Sequence, residues 1–283
     1  MDTHKMEILI GESIRVPSEK LLLIAGPCVI ENYEHTLFLA KEIKEITKEH
    51  NVNFVFKASF DKANRTSLHS YRGPGIYEGI EIIKEVKKEA NVLVLSDIHE
   101  SWQAEVCNEV LDVIQIPAFL CRQTDLLISA GKTMKPINIK KGQFLAPWNM
   151  VSAIEKIEST GNKNIMLTER GTCFGYNTLV MDPCSIPIMK TSGYPVIVDA
   201  THSVQKPGGE GKSSGGNREL APYIANAGIA VGADGIFIEV HENPDRALSD
   251  GPNSIKLSRL PSLIRKWVKL FNCIRELTNE NYR

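Results

Sequence analysis

The stretch NFVFKASFDKANRTS, residues 53–67, opens with the apolar run Phe54, Val55 and Phe56, then crowds Lys57, Asp61, Lys62, Asn64 and Arg65 into nine positions. The first half reads as a buried β-strand, rich in aromatic and β-branched residues. The second half is a loop full of hydrogen-bonding charge. Working outward, the same pattern returns: LLLIAGPC (21–28), VLVLSDI (92–98), VIQIPAF (113–119), PINIKK (136–141), IMLTERG (165–171), PVIVDATH (195–202) and GIFIEVH (235–241). These runs are continuous rather than alternating, as in parallel strands covered on both faces. Amphipathic stretches such as GIYEGIEIIKEVKKEA (75–90) lie between them, with apolar residues three and four apart. Successive strands start 21 to 40 residues apart, which leaves room for a crossover helix each time.

Eight such units in about 250 residues predict an α/β fold, a single (β/α)8 TIM barrel. An open doubly wound sheet is the alternative, but no glycine fingerprint follows the first strand. We read residues 1–283 as one catalytic domain. In it residues 1–20, with MEILIG and SIRVP around Gly11 and Glu12, form a short N-terminal β-hairpin extension at the barrel's bottom.

Composition narrows the function. Lys plus Arg number 33 against 34 for Asp plus Glu, a net charge of −1, so no field of one sign covers the molecule and nucleic acid is not the expected partner. MDTHKMEILIGESIR lacks the apolar core of a secretory signal. The run LLLIAGPCVI (21–30) falls short of the roughly 20 residues that span a bilayer. A cytoplasmic protein without membrane association is expected. The six cysteines, Cys28, Cys107, Cys121, Cys173, Cys184 and Cys273, form no CxxC pairs and read as free thiols.

In a barrel the active site lies where the C-terminal strand ends feed the βα loops. Those ends carry Cys28, Lys57, Asp97 with His99, Arg122, Lys140, Glu169 with Arg170, His202 and Glu239. Lys57, Lys62, Arg65, Arg122, Lys140 and Arg170 would converge on one mouth, and like charges so gathered repel unless an anion is bound. Phosphate and carboxylate groups suit the mixture of forked guanidinium and compact ammonium. Cys28, His202 and Glu239 end the first, seventh and eighth strands, neighbours once the barrel closes, and Asp250 in LSDGPN reaches the same corner. Thiolate, imidazole and two carboxylates suit a divalent metal ion such as Zn²⁺, Fe²⁺ or Mn²⁺. The segment SVQKPGGEGKSSGGN (203–217) is long and flexible enough to serve as a lid.

Through AGPCVIEN, FKASFDKANRTSLHSYRGPG, SDIHE, VIQIPAFLCRQTDL, NIKKGQF, TERGTCFGYNTLVMD, DATHSVQKPGG and SDGPNS, the chain resembles the 3-deoxy-D-manno-octulosonate-8-phosphate synthases from Leu22 to about Leu260. That resemblance implies condensation of phosphoenolpyruvate with D-arabinose 5-phosphate, on the route to the inner sugar of lipopolysaccharide. It implies that Lys62, Lys140, Gln143 and Arg170, with Arg122, hold phosphoenolpyruvate; Lys57, read from the ring of cations, joins them in the substrate-binding set. Asn64 would contact the pentose chain. Arg65 and Thr66 would hold its distal phosphate, reaching from a neighbouring subunit of a homotetramer. Lys62, Lys140, Asp97 and His202 form the implied catalytic group. Cys28, where the metal-free branch has asparagine, implies the metal-using branch, with Cys28, His202, Glu239 and Asp250 as ligands. Two other readings stand beside it. One is the sister activity that makes 3-deoxy-D-arabino-heptulosonate 7-phosphate from erythrose 4-phosphate, disfavoured by KANRTS at 62–67 where that enzyme has a shorter KPRTS-like motif. The other is a non-catalytic barrel that binds a sugar phosphate.

Overall fold

The computed structural model describes residues 6–208 and 215–280. Its frame is eight strands in one sheet: β1 (Leu22–Gly26), β2 (Asn53–Lys57), β3 (Leu93–Asp97), β4 (Val113–Ile116), β5 (Ile137–Lys140), β6 (Ile165–Glu169), β7 (Val196–Asp199) and β8 (Gly235–His241). Each is parallel to its neighbours in chain order, and β8 pairs with both β7 and β1, which closes the barrel. Eight helices alternate with them: α1 (Tyr33–Glu49), α2 (Ile76–Ala90), α3 (Gln103–Asn108), α4 (Thr124–Lys132), α5 (Val151–Glu158), α6 (Ser185–Lys190), α7 (Ala221–Ala230) and α8 (Leu260–Glu280). The expected fold class is therefore what the structure shows. The strands stop a few residues before several of the sequence runs do. β1 ends at Gly26 because Pro27 has no N–H to continue the ladder. β7 ends at Asp199 because its side chain captures the His202 backbone N–H at 2.9 Å and turns the chain into a short 3₁₀ segment.

Side-chain parity divides the hydrophobic residues into two bodies. Leu22, Ile24, Val55, Leu95, Val113, Met166, Ile197 and Phe237 fill the barrel interior. Their neighbours Leu23, Ala25, Phe56, Val94, Ile114, Leu167, Val198, Ile236 and Ile238 pack outward into the layer shared with the helices. The predicted hairpin is present: strands Ile8–Ile10 and Ile14–Val16 pair antiparallel, and Ile8, Ile10, Ile14 and Val16 join the interior cluster as a plug. Above the apolar fill sits a polar layer. Asn138 Nδ2 donates to Gln115 Oε1 at 3.0 Å, and Thr168 Oγ1 donates to Asn138 Oδ1 at 2.6 Å. These buried amides are hydrogen-bonded to one another and form a floor on which charged side chains can stand.

Candidate active site

Parity decides which strand-end residues enter the barrel mouth. Lys57 follows inward Val55, Asp97 follows inward Leu95, Asp199 follows Ile197 and Glu239 follows Phe237, each two residues further on. All four are therefore buried over the floor. Lys140 stands two residues past Asn138 for the same reason. Glu169 has the opposite parity: its carboxylate turns outward, accepting from Gly171 N and Ser185 Oγ at 2.7 Å each. Lys141 faces outward with it, 3.5 Å from Glu169, while Lys140 faces in.

The buried charges are arranged in pairs. Lys57 Nζ donates to Glu239 Oε1 at 3.0 Å and to the Cys28 carbonyl at 2.7 Å. Lys140 Nζ donates to Asp199 Oδ2 at 2.6 Å and sits 3.5 Å above the Phe237 ring. Asp199 Oδ2 also lies 2.8 Å from His202 Nδ1, which turns His202 Nε2 toward Glu239 Oε1 at 3.5 Å and Asp250 Oδ2 at 3.7 Å. Cys28 Sγ lies 3.8 Å from that same Asp250 oxygen and donates to Ser249 Oγ at 3.0 Å. Cys28, Glu239 and Asp250 each bring a ligand atom within 4.8 Å of the others. Glu239 Oε2 is buried with no hydrogen-bond partner, a lone pair left over at the centre of this group.

Electrostatics follow from burial and pairing. Burial drives the Cys28 thiol up to about 12, with Glu239 adding to the effect. Burial alone would raise the Glu239 carboxyl, but the ammonium of Lys57 and the nearby His202 hold it down at about 2. Asp199 and Asp97 are likewise buried yet held well below the ordinary range, the first by His202 and Lys140, the second by Lys62 and His99. Burial lowers Lys140, and Asp199 only partly offsets it. Lys62 goes the other way: burial opposes its charge, but Cys28, Asp97 and Glu239 around it carry it above its usual value.

These groups line a cavity of about 240 Å³. Lys57, Lys62, Asn64, Arg65, Thr66, Asp97, Lys140, Gln143, Arg170, His202 and Asp250 border it, so most of the residues singled out from sequence share one space. Cys28 and Glu239 lie behind that lining, in contact with Asp250 and His202. Arg122 is exposed and stands outside the lining, its carbonyl accepting from Lys156 Nζ at 2.9 Å. In the single chain the KANRTS segment folds over its own mouth, where Arg65 Nη1 donates to Ser249 Oγ at 2.8 Å. Residues 209–214, at the centre of the expected lid, lie outside the described residues, as do residues 1–5 of the expected hairpin segment.

Four participants had no sequence signal of their own. Asp199 orients both Lys140 and His202; Gln205 donates to Asp250 at 3.2 Å and accepts from Arg170 Nη2 at 3.3 Å; Ser249 joins Cys28 to Arg65; Ser59 donates to Asp97 at 2.5 Å. Only Asp199, the last residue of an apolar strand, could have been found by applying strand parity.

The model of the DAHP synthetase I family matches residues 3–276 of this closed barrel with its cationic, carboxylate-lined mouth. Among individual proteins, the chain is 56% identical over 261 residues to a 2-dehydro-3-deoxyphosphooctonate aldolase of Geobacter sulfurreducens, covering 92% of this chain and 96% of that one. It is 57% identical to proteins of that name from Citrifermentans bemidjiense, over 92% of this chain and 95% of the other, and from Geotalea daltonii, over 92% and 96%. The chain belongs to the DAHP synthetase I family and, within it, to the 2-dehydro-3-deoxyphosphooctonate aldolases. Membership in this enzyme family sets aside the non-catalytic barrel, and the seven-carbon activity is a relation at the level of the family model only.

Proposed function

We propose that the chain condenses phosphoenolpyruvate with D-arabinose 5-phosphate and water, giving 3-deoxy-D-manno-octulosonate 8-phosphate and phosphate, as a cytoplasmic homotetramer of the metal-using branch. The observation that carries the substrate class is the imbalance of pairing in the mouth. Lys57 and Lys140 have buried carboxylates, whereas Lys62, Arg65 and Arg170 hydrogen-bond only neutral groups: Ser59 at 3.5 Å, Ser249 at 2.8 Å and Gln205 at 3.3 Å. Arg170 Nη1 and Gln143 Oε1 are buried without partners. Three cations that, among the described residues, hydrogen-bond no carboxylate, in a space for small molecules, suit two phosphorylated substrates.

Carbon 3 of the enol phosphate attacks the pentose aldehyde, water adds at carbon 2, and phosphate leaves with C–O cleavage. Lys62, Lys140 and Arg170, with Gln143, hold phosphoenolpyruvate and stabilise charge on its oxygens; Asn64, Arg65 and Thr66 hold the pentose phosphate at bonding distance. Asp97 takes hydrogen bonds from Ser59 and from His99 Nε2 at 3.1 Å. His99 Nδ1 is then left as a buried lone pair with no protein partner, in a ring that lines the cavity. Cys28, Glu239 and Asp250 cluster as a donor set for a divalent transition ion, His202 Nε2 adjoins Glu239 and Asp250 at 3.5 and 3.7 Å, and the partnerless Glu239 Oε2 is what such a site would leave in the chain alone. When bound, the ion supplies a Lewis acid and a template for aldehyde or water. The homotetramer reading is supported by exposed aromatics on adjoining loops: Phe144, Trp148, Phe174 and Tyr176 project where Cys173 N donates to Gln143 O at 2.9 Å.

The test is phosphate release from phosphoenolpyruvate with each aldose phosphate in turn, before chelation, after it and after metal add-back. Release with arabinose 5-phosphate, lost on chelation and restored by metal, is expected. Preference for erythrose 4-phosphate would assign the sister activity, and undiminished turnover without metal would place the chain in the other branch.

A further inference from the structure

Three residues past Cys28 and two past Glu239, the ends of β1 and β8 and the start of α1 bring together Glu31, His35 and His241, none of which lines the cavity. Each offers a ligand atom within 4.8 Å of the other two. The imidazoles of His35 and His241 lie 4.6 Å apart between ring centres, tilted by 41°. His35 sits in the first turn of α1, its backbone N–H held by the capping side chain of Asn32 at 2.8 Å. His35 and His241 side chains are 10% and 5% exposed, and Glu31 17%.

The hydrogen bonds fix what each ring has to offer. His35 Nε2 lies 2.8 Å from Glu242 Oε2, so it carries the proton there and Nδ1 keeps its lone pair. That Nδ1 is buried and has no partner. His241 Nδ1 is 3.1 Å from Glu242 Oε2 and accepts from Asn243 N at 2.9 Å, while its Nε2 faces Glu31 Oε1 at 3.3 Å. Glu31 Oε1 also accepts the Leu248 N–H at 2.9 Å, one residue before Ser249 and two before Asp250. Two ordinary histidine–glutamate hydrogen bonds account for Glu31 and Glu242, but they leave His35 Nδ1 unanswered, and buried polar atoms rarely go without a partner. Two imidazoles and a carboxylate, with a further carboxylate touching the far side of a ring, form the ligand set and outer support of a borderline-soft divalent ion.

We propose that Glu31, His35 and His241 form a second divalent transition-metal site, separate from the Cys28 group, with Glu242 as the outer carboxylate that orients His35. An ion there ties the ends of β1 and β8 to the segment that carries Ser249 and Asp250. It goes beyond the catalytic reading and stands or falls without it.

The test is Co²⁺ titration of the chelator-stripped full-length protein, followed by bound-metal counting and absorption spectra. Wild type should take up two ions per chain. His35→Ala should take up one and keep the thiolate-to-cobalt charge-transfer band that reports Cys28. Cys28→Ala should lose that band yet still bind one ion, and the double variant should bind none with comparable affinity. A bound-ion count that is the same in wild type and His35→Ala overturns the proposal. So does an ion in Cys28→Ala that survives the further change of His35 to alanine with less than a tenfold loss in affinity.

Discussion

Lys57 and Lys140 are lysines that a folded chain buries only for a reason, and in both cases the reason is a carboxylate within 3.0 Å. Taking one partner away leaves an uncompensated charge. Lys57→Met should lower stability to urea by about 3–5 kcal/mol, because the buried Glu239 then loses the ammonium that hydrogen-bonds it. The same pair sets an acid limit. Glu239 is held at about 2 against an ordinary 4.5, so its contribution is present above pH 4.5 and is lost as pH falls toward 2. Thermal melts of metal-stripped protein across that window should show the loss, and Glu239→Gln should flatten the dependence. Cys28, at about 12, must release a proton to bind metal, so affinity should rise about tenfold per pH unit through the neutral range. A pH series of metal competition titrations measures that slope, and Cys28→Ala should abolish it along with most turnover. Arg65→Ala should raise KM for arabinose 5-phosphate far more than for phosphoenolpyruvate, since its guanidinium lies at the Ser249 edge of the mouth.

At the scale of the element, the strands were legible because each is a short apolar run ended by a polar residue. The destination of that polar residue was less so. Continuous hydrophobicity marks a strand covered on both faces, and it hides which face each residue takes. Glu169 reads as a rim residue from its position, yet it turns outward to Ser185, and Arg170 beside it turns inward. Parity counted from Met166 separates the two, but the inward set is knowable only once the barrel interior is identified. Ser249, Gln205 and Ser59 had no such handle, because loops with no period place them. The elements also meet closely at one glycine. A Cβ on Gly26 would lie 2.0 Å from the Lys57 carbonyl oxygen, a backbone atom that cannot step aside. Gly26→Ala should therefore cost about 1–3 kcal/mol or more and weaken metal uptake by Cys28, both read from melts and titrations of the purified variant.

For the whole molecule, the decisive bond is the seam between β7 and β8, Ile197 to Gly235 through Asp199 to Phe237. It turns eight separately readable units into one chamber, and it was inferable from their number alone. The expected homotetramer rests on resemblance alone at the sequence level, since exposed aromatics are not patterned in the sequence. Replacing Trp148 and Phe174 with aspartate should convert a four-chain species to smaller ones in sedimentation velocity, while the isolated chain keeps its circular dichroism.

Because the thiol of the proposed metal site stands at residue 28 and its proposed companions at 202, 239 and 250, that donor set is distributed over most of the polypeptide. A chain emerging from the ribosome therefore carries the thiol long before anything exists to clasp an ion with it. Nascent fragments ending before residue 235 should scavenge no metal by this route. On that proposal the cell is spared a partly made protein that competes for scarce ions, and loading is an event of the finished molecule.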